Sequence, residues 1–154
     1  MRRSFQLLLT ASAVTAGLTA GADSNQMSWP DGTLEPTCAP CDGPAFMILS
    51  KREDGTFIRL MGMESISKAE GSWAIELAAK PGQGQASFCD ERRPAASRCV
   101  YGQSGSFTVR PDGSNRWTIE FSGSFTLGRT MSQVEGRFRA SRPAADPAKR
   151  TFCG

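Results

Sequence analysis

Apolar residues occupy every second position of several segments between residues 104 and 140, and this alternation limits the possible folds of the chain. The alternating residues are Phe107, Val109, Trp117, Ile119, Phe121, Phe125, Leu127, Val134, Phe138 and Ala140. Successive side chains of a β-strand point to opposite faces, so this spacing predicts strands with one buried and one exposed face. A helix would repeat its apolar positions every three or four residues. The segment therefore predicts antiparallel β-sheet.

The five residues SGSFT occur twice in this region, at 104–108 and 122–126, with Pro111-Asp112-Gly113 between the copies. Proline fixes φ, aspartate bonds to its own backbone and glycine accepts positive φ, so this tripeptide predicts a turn. Ser122-Gly123 predicts a second turn. On this interpretation the copies lie on strands that run in the same direction, and Phe107 and Phe125 face one shared core.

Shorter strand-like segments precede the repeat. Residues 45–50 and 56–62 are apolar runs joined by a charged turn, and Trp73, Ile75 and Leu77 alternate with polar or small residues. With the segments around Cys89 and Cys99, we expect about eight strands of the usual length. Such a sheet must hide its edges, so the sequence predicts an all-β fold, either a small antiparallel up-and-down barrel or a β-sandwich. Short turns between neighbouring strands favour the barrel.

The N-terminus predicts export. Arg2-Arg3 precedes a mildly apolar run that ends in Ala20-Gly21-Ala22, a small-residue cleavage site. The run is too short to span a membrane. The arginine pair followed by Phe5 resembles the twin-arginine export signal, and a general secretory signal is the alternative. We therefore expect a periplasmic or secreted protein in three parts: a signal peptide at 1–22, an extended proline-rich leader at 23–44 and a single β domain at 45–154.

Five cysteines follow the predicted cleavage site: Cys38, Cys41, Cys89, Cys99 and Cys153. An oxidising compartment favours disulfides, and hairpin pairing would bring Cys89 and Cys99 within bonding distance. Cys153 would tie the C-terminus to the leader if it bridged to Cys38 or Cys41. The remaining cysteine is then buried, reactive or bonded to another chain.

Two catalytic alternatives depend on residues other than histidine, which the chain lacks. Cys38 and Cys41 have the spacing of a redox dithiol, although Asp42-Gly43-Pro44 would break the helix that such a site needs. Carboxylates could serve an envelope hydrolase. The absence of histidine excludes Ser-His-Asp and Cys-His catalysis and haem attachment. The cysteine spacing matches no compact metal pattern, so we expect no metal and no cofactor.

Charge is divided unevenly along the predicted mature chain. Residues 23–90 carry five basic and ten acidic residues, whereas residues 91–154 carry eleven basic and five acidic residues. Five arginines in the repeat region are candidates for binding an anion: Arg110, Arg116, Arg129, Arg137 and Arg139. Few aromatic residues accompany them, so nucleic acid is not expected. The sequence predicts a binding domain without catalytic activity for an anionic ligand or an acidic envelope protein.

Overall fold

The computed structural model describes residues 25–40 and 43–144. The predicted signal peptide, Cys41 and Cys153 lie outside these described residues. Within them the chain forms the strands β1 (Asn25–Gln26), β2 (Gly32–Cys38), β3 (Pro44–Lys51), β4 (Thr56–Gly62), β5 (Gly71–Ala74), β6 (Gly84–Asp90), β7 (Cys99–Pro111), β8 (Arg116–Leu127) and β9 (Thr130–Ser141). Two three-residue 3-10 helices, η1 (Ile66–Lys68) and η2 (Ala95–Ser97), lie in loops. The predicted all-β class is confirmed. Among the described residues, none of the helices could span a membrane.

The strands form one sheet that curves into a ring. Neighbours pair in the order β2, β3, β4, β6, β7, β8 and β9, and β9 returns to β2. β5 pairs with β7 beside β6 and continues the wall, so that eight strands build the predicted barrel. All neighbours within the ring are antiparallel except at the closure, where Gly32 and Thr33 run parallel to Ala140 and Ser141. The closed order contains seven strands whose directions alternate, so β9 runs in the same direction as β2 and can close the ring only by parallel pairing.

The predicted leader supplies part of the wall and of the core. β2 pairs antiparallel with β3 from Thr33 to Cys38, and its Leu34 is fully buried. β1 adds a short parallel pairing to β9. In the segment that joins β1 to β2, Trp29 packs edge-on against Phe88 and Phe121, with ring centroids 6.3 and 5.7 Å away. The described part of the leader is therefore built into the barrel.

The predicted inward-facing residues line one interior. Phe107 and Phe125 are both 0% exposed and belong to the same core cluster, so the shared interior is confirmed. Val109, Ile119, Phe121, Val134, Phe138 and Ala140 belong to it as well. Leu77 is an exception, since it was predicted to face inward with Trp73 and Ile75 but is 52% exposed. β5 ends at Ala74, and the chain has turned away from the wall before it reaches Leu77.

The predicted turn at Ser122-Gly123 is wrong, because β8 runs unbroken from Arg116 to Leu127. The two SGSFT copies lie on adjacent antiparallel strands and pair with each other. The paired residues are Ser104 with Ser124, Gly105 with Gly123, and Ser106 with Ser122. A Cβ atom on Gly105 would stand 2.1 Å from the carbonyl oxygen of Ser122, so the strands approach too closely there for any side chain. The repeat therefore provides small residues where β7 and β8 approach each other closely.

The turns that join β7, β8 and β9 lie on either side of this pairing. The predicted turn after β7 is confirmed: β7 ends at Pro111, β8 begins at Arg116 and Gly113 has a φ of 103°. The next turn is at Gly128 and Arg129, where Gly128 has a φ of 71°. Both glycines adopt backbone conformations that other residues rarely adopt.

Candidate functional site

Three of the five predicted arginines lie together on the outer surface of the barrel. Arg110 of β7 and Arg139 of β9 flank Thr118 of β8 in one cross-strand row. Arg137 pairs with Glu120 in the next row. Their side chains point outward because they alternate with buried apolar residues. We call Arg110, Arg137 and Arg139 the arginine patch.

A single carboxylate lies at the centre of the arginine patch. The two carboxylate oxygens of Glu120 lie 3.5 Å from Nη1 of Arg110 and 3.5 Å from Nε of Arg137. Nε of Arg139 lies 3.7 Å from Oδ1 of Asp31, which precedes β2. Each of these ion pairs is exposed to solvent and contributes at most about 1 kcal/mol. Because two guanidinium groups share Glu120, one of their two positive charges is not neutralised by it.

The other two predicted arginines lie at opposite ends of β8. Arg116 begins the strand, pairs with Ser141 and is exposed one row beyond the arginine patch. It has no ion pair with any other described residue. Arg129 lies in the β8–β9 turn at the far end of the strand. The structure therefore brings four predicted arginines to one end of this face and separates the fifth from them.

A cleft of about 380 Å³ opens beside the arginine patch, where β9 meets the segment that leads into β2. β9 pairs with β1 at residues 134–135 and with β2 at residues 140–141, so none of the described strands pairs with this edge in between. The cleft is lined by Trp29, Asp31, Asp112, Thr118, Arg137, Phe138 and Arg139. Its volume is at the lower end of the range for ligand pockets, and a compact anionic group fits it.

Trp29 lines this cleft and is almost fully buried. Its ring packs over Gly136, where a Cβ atom would stand 2.3 Å from the indole. The indole N–H is buried and has no acceptor among the described residues. By contrast, Trp73 donates to the carbonyl oxygen of Ala69 at 2.9 Å. Buried donors nearly always have partners, so Trp29 stands out as an unsatisfied donor beside the cleft.

The predicted disulfide between Cys89 and Cys99 is present. The two residues are direct cross-strand partners on β6 and β7, with Cα atoms 4.0 Å apart. Closing a loop of this length restricts the unfolded chain and contributes about 3 kcal/mol. Cys38 is disulfide-bonded as well. Because Cys41 and Cys153 lie outside the described residues, their pairing and an intermolecular disulfide stay predictions.

The surroundings of Cys38 bear on the alternative redox function. Cys38 ends β2, and the chain resumes as β3 from Pro44. A thioredoxin-type site stabilises its reactive thiolate at the N-terminus of a helix. In the described chain a strand lies on each side of the motif, so this source of thiolate stabilisation is missing there. The redox function stays a prediction without electrostatic support.

Among the carboxyl groups of the described residues, two have shifted pKa values, and both shifts are downward. Hydrogen bonds from the Thr56 side chain and backbone hold the pKa of Asp54 below its ordinary value. A hydrogen bond from the Arg92 side chain does the same to the pKa of Asp90. A general acid needs a raised pKa, so neither of these two carboxyl groups has the pKa shift of a general acid. In the parts of the chain that the structure describes, no three His, Cys, Asp or Glu residues are grouped to hold a metal ion.

Arg59 is not among the site residues predicted from the sequence and lies on the outer surface of β4. It alternates with the buried residues Ile58 and Leu60 and therefore points outward. Its outward neighbours on the same strand, Phe57 and Met61, are apolar. The sequence signal for this position is a single charged residue between two apolar residues that share its face of the strand.

No protein family, curated protein or solved structure matches the chain significantly. What this chain binds must therefore be inferred from its own residues. Guanidinium groups line three concave regions on the described surface: the cleft beside the arginine patch, the surroundings of Arg59, and a cleft where Arg52 lies beside Glu53 and Asp54.

Proposed function

We propose that the chain is an exported binding domain without catalytic activity, and that its arginine patch binds an anionic ligand or an acidic protein. One observation carries the proposal: Arg110 and Arg137 converge on Glu120, each at 3.5 Å. Arg139 lies one row away. The positive charge of the patch therefore exceeds the charge of the carboxylate at its centre.

The cleft beside the patch supports a ligand with several oxygen atoms. Arg137 and Arg139 both line it, and guanidinium groups bind carboxylates and phosphates through paired hydrogen bonds. Asp31 and Asp112 also line the cleft and disfavour an anion deep within it. The anionic group is therefore expected to contact the outer rim of the cleft, where the arginines are most exposed.

Export is supported by the cysteine chemistry and by the N-terminal sequence. A disulfide such as that between Cys89 and Cys99 persists in oxidising compartments. Residues 1–22 have the composition of a cleavable signal peptide. Mass spectrometry of the protein recovered from a bacterial periplasm should find a chain that begins at Asp23. Recovery of only the uncleaved chain from the cytoplasm would contradict export.

Charge reversal tests the binding function. NMR titrations at low salt would use inorganic phosphate and poly-glutamate as probes of the folded protein. The double variant Arg137→Glu and Arg139→Glu should weaken binding of both probes at least tenfold, since it reverses two charges that face the ligand. Raising the ionic strength to about 0.5 M should weaken binding to the unmodified protein as well.

A matched control separates the arginine patch from overall charge. The double variant Arg98→Glu and Arg129→Glu changes the net charge equally at two exposed positions outside the patch. It should keep most of the affinity. Equal losses in the two double variants, or no loss in either, would contradict the proposal.

A further inference from the structure

We propose that Arg59 forms a second binding site, separate from the arginine patch, for a small carboxylate that carries an apolar group. The site is a cleft of about 210 Å³ on the outer surface of β4, β6 and the first residues of β7. It is lined by Pro40, Arg59, Met61, Gln85, Ala86, Ser87 and Tyr101. The arginine patch lies on β7, β8 and β9, so the two sites occupy different faces of the barrel.

The side chain of Arg59 is held in place before any ligand arrives. Arg59 and Ser87 are cross-strand partners, and Nε of Arg59 donates to Oγ of Ser87 at 3.0 Å. Ser87 is only 3% exposed, so this acceptor is fixed within the wall. Nη2 of Arg59 lies 3.9 Å from Sγ of Cys99, which belongs to the disulfide. A side chain that is already ordered loses less conformational entropy when it binds a ligand.

The guanidinium of Arg59 has no negatively charged partner among the described residues. By contrast, each arginine of the arginine patch lies within 3.7 Å of a carboxylate oxygen. Within the described chain Nη1 of Arg59 has no hydrogen-bond partner, and the sulfur near Nη2 is a weak acceptor. The N–H groups on Nη1 and Nη2 are therefore available to a ligand. They lie in one plane, so the two oxygens of a carboxylate can accept from both at once.

The residues that line the cleft indicate which kind of group the carboxylate ligand carries. Met61 and Pro40 contribute apolar surface, and Tyr101, which is 51% exposed, lines the same cleft. The side-chain amide of Gln85 already donates to the carbonyl oxygen of Leu77. The volume is below the range of about 300–1,000 Å³ that accommodates drug-sized ligands. One guanidinium, apolar walls and a small volume together favour a small monocarboxylic acid with an aliphatic or aromatic group.

NMR titration of the isotope-labelled protein with benzoate tests this site. Benzoate should shift the Nε–H resonance of Arg59 and the backbone amide of Tyr101. Benzamide has the same ring without the charge, and it should bind at least tenfold more weakly, as expected for the loss of a charge-assisted contact. Absence of shifts at both residues, or equal affinity for benzamide, would overturn the proposal.

Variants locate the site and separate it from the arginine patch. Arg59→Gln should weaken benzoate binding roughly ten- to hundredfold, and Arg59→Lys should weaken it less because the charge stays but the planar fork is lost. Arg129→Gln, at an exposed turn, should change nothing. Arg59→Gln should leave phosphate binding at the arginine patch unchanged, so failure of one proposal does not imply failure of the other.

A variant of Ser87 keeps the test decisive if replacing Arg59 disturbs folding. Ser87→Ala leaves the charge in place but removes the acceptor that orients Nε of Arg59. It should weaken benzoate binding several-fold while the thermal unfolding transition stays cooperative. If a folded Ser87→Ala protein binds benzoate as tightly as the original, the orientation of Arg59 does not matter and the proposal is wrong.

Discussion

The two SGSFT copies have identical sequences, but the structure gives them different environments. In both copies the phenylalanine is inward and 0% exposed, at Phe107 in β7 and Phe125 in β8. The glycines differ, since Gly105 has a φ of 132° whereas Gly123 is not in the positive-φ region. The threonines differ as well, since the hydroxyl of Thr108 is buried without a described partner and Thr126 is exposed.

The difference shows which properties a repeat determines by itself. Alternation along a strand fixes the direction of each side chain, so both phenylalanines reach the core. The backbone conformation depends on neighbouring strands. The β7–β8 register shifts between Gly102 and Ser104, and the carbonyl oxygen of Gly105 accepts a hydrogen bond from the backbone of Ile75. The irregularity is confined to β7, and the copy in β8 stays regular.

The largest expected effect concerns the property that the two copies share. Phe107→Ala and Phe125→Ala should each lower the free energy of unfolding by about 3–5 kcal/mol, because each removes a fully buried ring. Urea denaturation would measure both losses. Leu77→Ala is the control, since Leu77 is exposed and its loss should stay below about 1 kcal/mol. Losses that differ by more than about 2 kcal/mol between the two phenylalanines would show that the copies are not equivalent even in the core.

The glycines should respond unequally to the same substitution. Gly105→Ala should lower the free energy of unfolding by about 2–4 kcal/mol, because a Cβ atom there would stand 2.1 Å from backbone and φ is 132°. Gly123→Ala should cost less, about 1 kcal/mol, since its φ is not in the positive region and its nearest neighbour is the side-chain ring of Phe125 at 3.0 Å rather than backbone. The same denaturation measurement compares them. Equal losses would mean that the backbone of Gly105 is not constrained as the structure shows.

The threonines offer the smallest contrast, with the opposite sign. Thr108→Val should raise the free energy of unfolding by about 1 kcal/mol, because it replaces a buried hydroxyl that lacks a described partner. Thr126→Val should change it by less than about 0.5 kcal/mol at its exposed position. Thermal unfolding followed by circular dichroism can resolve the difference. A destabilised Thr108→Val protein would show that the hydroxyl has an acceptor in solution.

Short sequence patterns correctly predicted the features of the fold that depend only on residues near one another in the chain. The inward positions from Phe107 to Ala140 follow from alternation, and the turn after Pro111 follows from the turn chemistry of its residues. Ser122-Gly123 suits a turn and a close pairing between two strands equally well. Only its pairing with Gly105, on another strand, decides between the two. The parallel closure of the ring is also a contact between distant segments, which no local pattern encodes.

In the candidate sites, too, the sequence predicts the direction of single side chains but not which side chains the fold brings together. Alternation correctly placed Arg137 and Arg139 on the outer surface, but their grouping with Arg110 depends on the registers of three strands. Arg129 falls in a turn because β8 continues past the residues where a turn was expected. The contacts of Arg59 come from β6 and β7, so the sequence of β4 alone could not reveal them.

The parallel seam between β2 and β9 affects how a nascent chain can fold. Gly32 opens the first strand of the ring and its partner Ala140 lies near the end of the last one. Hairpins such as β3–β4 and β8–β9 can form early in folding, since their contacts are local. The edge of β2, however, stays open until β9 folds back against Gly32 and Thr33. During that interval it is open to pairing with other chains, so a chaperone that covers it would favour correct folding.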